Sequence, residues 1–138
     1  MQGKRNEARA QYEQALQIDQ NSAVAANNLA SLYADTGERL DAALQLAQTA
    51  VRQMPDNASA ADTLGWVFYK QGQAKLATAP FERATEREPS NPVFHYHLGL
   101  AHVKTGDKVR ARASLERALQ LNPNFPEAQD AKRALAGL

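Results

Sequence analysis

Three histidines fall close together in the chain, at His95, His97 and His102, and these side chains have the widest chemical range in it. A metal centre needs ligands converging at about 2 Å from one ion. On a helix His95 and His102, seven positions apart, share a face, while His97 lies well round from both. The surrounding helix carries no carboxylate to complete a zinc set, and none of the metalloprotease spacings is present. The histidines therefore read as packing residues, and no metal is expected. Ser22, Ser31, Ser59, Ser90 and Ser114 occur in no G-x-S-x-G setting. Every glycine stands alone, so no loop can cradle a phosphate. Glu82 and Glu86 crowd like charges at i,i+4 on an exposed face and form no protected acid–base pair. With no cysteine, thiolate catalysis, disulfides and Cys-based zinc or iron–sulfur sites are excluded. Neither an enzyme nor a cofactor is expected.

Charge narrows the partners. Among 138 residues, 16 Lys and Arg face 15 Asp and Glu, a net charge of +1. A nucleic-acid binder needs clustered positive charge, so none is expected here. Basic residues gather once, at Lys104, Lys108, Arg110, Arg112 and Arg117, in a pattern that fits a solvated helix face. No run of about eighteen apolar residues exists to span a bilayer as a helix, so direct membrane insertion is not expected. The opening MQGKRNEARAQ lacks the apolar core of a secretory signal. A soluble chain is expected, with cytoplasm and periplasm equally compatible.

The elements that must carry these residues announce themselves by repetition. Alanine is in excess, at 27 residues, and β-branched residues are few, which points to an all-α chain. Gly3, Gly37, Gly72 and Gly106 are spaced by 34, 35 and 34 residues, and Pro55, Pro89 and Pro123 by 34 and 34. Gly65 and Gly99 keep the same interval, as do the series Ala8, Ala43, Ala77, Ala111 and Ala15, Ala50, Ala84, Ala118. Such a period marks an array in which each unit packs on its neighbours. Each unit reads as helix, tight turn, helix. In the clearest, Ala61, Leu64, Gly65 and Phe68 share one face; Gly72 ends the helix; and Ala77, Phe81 and Ala84 point inward from a second helix over about Ala74 to Arg87.

The phase divides the single domain, 1–138, into a partial repeat at 3–22 with only its second helix and repeats at 23–57, 58–91 and 92–125. A capping helix follows within 126–138. Residues 23–57 hold one extra residue, placed in the turn Gly37–Leu40. Ser90 is expected to help start the helix after Pro92. Pro80, several residues inside its helix, is expected to kink it or widen a turn between Leu76 and Pro80.

Leu64, Gly65, Phe68, Ala77 and Ala84 resemble the signature of a tetratricopeptide repeat, as do Leu98, Gly99, His102, Ala111 and Ala118, and Leu29, Ala30, Tyr33, Ala43 and Ala50. A fainter likeness links residues 94–119 to the final repeats of exported bacterial lipoproteins. The resemblance implies a right-handed superhelical array of antiparallel helix pairs whose first helices line a concave groove. Carried over by position, that groove takes Val24, Asn27, Ser31, Ala34 and Asp35 from the first unit, Ser59, Asp62, Trp66, Tyr69 and Lys70 from the second, and Val93, Tyr96, Leu100, Val103 and Lys104 from the third. Independently of the family, Trp66 and Tyr69 stand off the core stripe. With Tyr96 and Leu100 they suggest an apolar wall edged by Asp62, Lys70 and Lys104. The rival reading is that Trp66 rests on the adjacent unit's first helix as internal cover. The positions that in related domains clamp a C-terminal carboxylate are here Asn27, Ser31, Thr63, Val93 and His97, without the cations that task needs. The expected role is non-catalytic binding of a protein or peptide segment. The alternative is homo-oligomeric self-assembly through the Ala8, Tyr12, Ala15 face of the first helix, about Arg5 to Ile18, which lacks a covering partner.

Overall fold

The computed structural model describes residues 2–18 and 22–138. They form helices α1 (Gln2–Ile18), α2 (Ala23–Thr36), α3 (Leu40–Gln53), α4 (Ala58–Lys70), α5 (Ala74–Arg87), α6 (Pro92–Thr105), α7 (Lys108–Leu121) and α8 (Ala128–Ala136). Pairs α2/α3, α4/α5 and α6/α7 make the closest associations. The first helices also touch across layers, α2 to α4, α4 to α6 and α6 to α8, which gives a helical solenoid of antiparallel pairs.

Local chemistry sets the helix ends. Ser22, Asn57 and Asn91 cap α2, α4 and α6, each side chain accepting from a backbone N–H of the first turn. The cap before Pro92 is thus Asn91, whose Oδ1 accepts from Val93 N–H at 3.0 Å, and Ser90 lies in the turn leading into it. Asn91 stands immediately before the helix, where its short amide reaches that donor. Within the pairs the chain reverses at Gly37, Gly72 and Gly106, with φ of +74°, +80° and +85°. Gly3, in phase with them, lies inside α1 instead. No helix before it among the described residues requires a reversal there. The extra residue of the first turn also takes a left-handed conformation: Arg39 has φ +52° immediately before α3.

Pro80 does not interrupt α5, which runs unbroken from Ala74 to Arg87. The ring is buried in the packing, and the residue whose carbonyl it leaves unbonded, Leu76, is exposed, so water can serve that oxygen.

The seams follow a rule of volumes. A Cβ on Gly65 would stand 2.5 Å from Phe81 Cδ1, and one on Gly99 2.7 Å from Leu115 Cγ. Each glycine is therefore a socket for one large side chain. In α2/α3 the same two seats hold Ala30 and Ala47, members of one buried cluster with Leu29, Tyr33 and Leu64. Ala77, Phe81, Ala84 on α5, Ala111, Leu115, Ala118 on α7 and Ala43, Ala47, Ala50 on α3 are all 0% exposed. The equivalent Ala8, Tyr12 and Ala15 on α1 are only half-buried, because among the described helices α1 packs mainly on α2. Arg39 helps hold α1 there. Its guanidinium donates to Tyr33 Oη at 2.9 Å and lies 3.9 Å from Glu13, while Tyr33 donates to Glu13 at 2.9 Å. Burial, followed by that bond to Glu13, raises the Tyr33 pKa.

At the other end α8 lays Ala128 and Ala131 over Tyr96, Leu115 and Ala118. Phe125, which no repeat position singles out, inserts beneath it and meets Tyr96 edge-on, centroids 5.9 Å apart.

Candidate functional site

The first helices α2, α4 and α6 are one period apart, so polar side chains separated by 31 to 35 residues meet across layers. Asn27 Nδ2 donates to Ser59 Oγ at 3.2 Å; Trp66 Nε1 donates to Asp35 Oδ1 at 2.9 Å. His97 Nδ1 meets both oxygens of Asp62, at 2.8 and 3.0 Å. Trp66 lies at the centre of this lattice. His97 stacks on it at 4.3 Å, Tyr69 runs parallel at 5.2 Å, and Lys70 Nζ stands 4.9 Å above the ring. The single tryptophan thus bridges three layers, and the internal-cover reading describes its ring faces.

Beside the lattice opens a cleft of about 420 Å³, lined by Ser31, Asp35, Asp62, Thr63, Trp66, Val93, Tyr96, His97, Glu127 and Asp130. Eight of the expected groove residues are gathered there: Ser31, Asp35, Asp62, Trp66, Val93 and Tyr96 line the cleft, and Tyr69 and Lys70 stand beside it against Trp66. The others are not. Leu100 turns to the C-terminal cluster with Tyr96 and Leu115, and Val103 and Lys104 are exposed farther along α6, outside the cleft lining. Asn27 is only 7% exposed, its Oδ1 buried without a protein partner.

Asp62 is not a rim charge. It is buried beneath the cleft, because the neighbouring layer supplies the His97 donor that makes burial tolerable. Tyr96 is likewise mostly covered. Burial, then the charges of Asp130 and Glu127, push its phenol up to about 12, so it stays a hydrogen-bond donor. Burial also raises the Tyr69 phenol.

Sequence reasoning missed His97, Glu127 and Asp130 as members of this site. For His97 a signal existed: it follows Asp62 by 35 residues, one period plus one. The cap's acidic residues lie on the polar side of an amphipathic stripe, which reads as a face turned to water, yet Glu127 is half-buried and its Oε2 has no hydrogen-bond partner. Of the remaining histidines, His95 donates to the Pro89 carbonyl at 2.8 Å near the surface, and His102 is buried in the packing, which lowers its pKa. Among the described residues no group of three or more His, Asp or Glu is placed to hold a metal, and no helix is long and apolar enough to cross a membrane.

The pattern of tetratricopeptide repeats matches residues 2–58 and 63–126. The chain belongs to the tetratricopeptide repeat family. Human protein O-mannosyl-transferase TMTC3 is 30% identical over 97 residues, covering 70% of this chain and 11% of that protein. Among solved structures, TTC0263, a thermophilic tetratricopeptide protein of Thermus thermophilus, is 23% identical with a TM-score of 0.82, over 98% of this chain and 73% of that one. The type III secretion chaperone SycD of Yersinia enterocolitica, in complex with a peptide of the translocator YopD, is 20% identical with a TM-score of 0.71, over 81% of this chain and 88% of that one. At these identities the structural likeness establishes the tetratricopeptide fold.

Proposed function

We propose that this tetratricopeptide array is a non-catalytic protein-interaction module that binds a segment of another protein along the concave face of α2, α4 and α6. The observation that carries the reading is the cleft beside Trp66. Its aromatic wall is held rigid by bonds from two neighbouring layers, so little side-chain entropy remains to be lost on binding. Polar side chains ring that wall, as at interface centres. The array likeness to a chaperone seen with a peptide supports the same role.

Displayed random peptides selected on the whole chain test this. Replacement Ser31→Tyr fills the cleft from a half-buried position, and it is expected to abolish binding of the selected peptides while leaving the melting temperature near that of the parent. Peptides that bind both forms equally would reject the groove.

Self-association through Ala8, Tyr12 and Ala15 is the second reading, favoured by their incomplete burial against 0% at the nine equivalent seats. Cover by α8 of another copy is disfavoured. Where α4 and α6 bring Leu64–Gly65 and Leu98–Gly99 to the seam, α8 carries Lys132–Arg133, both exposed. Light scattering across concentrations decides: a strict monomer at high micromolar concentration removes self-association.

A further inference from the structure

We infer that the cleft receives a basic side chain, arginine or lysine, from the bound protein segment, a deduction that rests on the groove reading above. Asp35, Asp62, Glu127 and Asp130 all line the cleft, and no lysine or arginine is among its lining residues. The chain as a whole is nearly neutral, so this is a local concentration of one sign. Three of the carboxylates already have partners: Trp66 for Asp35, His97 for Asp62, and Arg133 at 2.8 Å for Asp130. Glu127 has a buried oxygen, Oε2, with none. A charged N–H group entering the cleft adds a charge-assisted hydrogen bond to this group of carboxylates.

The cleft's walls suit the same guest. Trp66 and His97 line the cleft beside the carboxylates and offer apolar ring surface to the stem of an arginine or lysine, while His97 and Lys70 already lie against the Trp66 ring itself. An acidic segment, or a terminal carboxylate, would meet repulsion instead, the converse of the carboxylate clamp.

The peptides selected on the whole chain provide the test, with binding followed by calorimetry and Trp66 fluorescence. Enriched sequences are expected to share an arginine or lysine. Its replacement by neutral glutamine should weaken binding roughly tenfold or more, as for a charge-assisted contact. Glu127→Gln should weaken it several-fold, and the exposed Asp130→Asn gives a second charge removal that does not depend on a half-buried position. Peptides blocked by Ser31→Tyr but indifferent to glutamine replacement and to both acid variants would overturn this inference and leave the groove standing. Peptides indifferent to Ser31→Tyr, or a selection that enriches nothing, would overturn both.

Discussion

The seams α4/α5 and α6/α7 join a glycine to a large side chain, whereas α2/α3 joins alanine to alanine. Gly65 receives Phe81 and Gly99 receives Leu115; Ala30 and Ala47 occupy the same seats one layer earlier. One backbone arrangement therefore accepts two divisions of volume, a socket with a knob or two equal small residues. They differ in what they bury. A Phe or Leu removed from water contributes roughly 1.5–3 kcal/mol, well beyond what a methyl group offers. Near the alanine seam a second cleft of about 550 Å³ also opens between α1, α2 and α3, with Leu16, Leu29, Tyr33 and Leu46 in its lining. The N-terminal end thus carries an open cleft beside its alanine seam and a half-buried first helix.

Removing the knob is the most severe challenge to this contrast. Phe81→Ala is expected to cost about 3–5 kcal/mol in denaturant unfolding, since the ring is wholly buried. Blocking the socket comes next: Gly65→Ala should cost about 1–3 kcal/mol because its Cβ meets ring carbons. The pair Gly65→Ala with Phe81→Ala recreates the Ala30/Ala47 seats and should cost less than the sum of the singles, since the clash disappears with the ring. Strict additivity would show that the seats are not coupled.

Smaller effects follow from the ends of the array. Hydrogen exchange should be faster in α1, α2 and α3 than in α4 to α7, because opening free energy follows local burial. Arg39→Ala should speed exchange in α1 further by removing its link to Tyr33 and Glu13, and equal protection in α1–α3 and α4–α7 would contradict the comparison.

Titration supplies the mildest tests. The Tyr96 phenol is raised to about 12 by burial first and nearby carboxylates second. Its contribution is complete below the unfolded value of about 10 and is lost as pH climbs towards 12, where the unfolded state has already released its proton. Tyr96→Phe should flatten that alkaline decline in melting temperature. For His102 burial lowers the pKa, so stability falls as pH drops below the unfolded value of about 6.5. His102→Gln should reduce that acid loss.

Much of the fold was legible because helical packing repeats along the chain. The stripe Ala77, Phe81, Ala84 and the reversal at Gly72 depend on local spacing and on one positive φ, both visible in residue types. Gly3 keeps the phase of the turn glycines yet lies inside α1, because identity at a phase position does not by itself compel a turn. At Pro80 the helix continues, since a lost hydrogen bond need not break a helix that is packed around the ring. The site was harder to read. Trp66 stands out from the repeat pattern, but its bonds to Asp35 and His97 cross between layers.

The amino-acid sequence alone determined the period, the antiparallel pairing and the inward stripes, since each follows from spacing along a single helix or turn. Only the tertiary structure decided which polar side chains meet. The stacking of one layer on the next brings His97 to Asp62 and residues of α8 to the cleft, and no periodicity within a helix encodes which residues then meet.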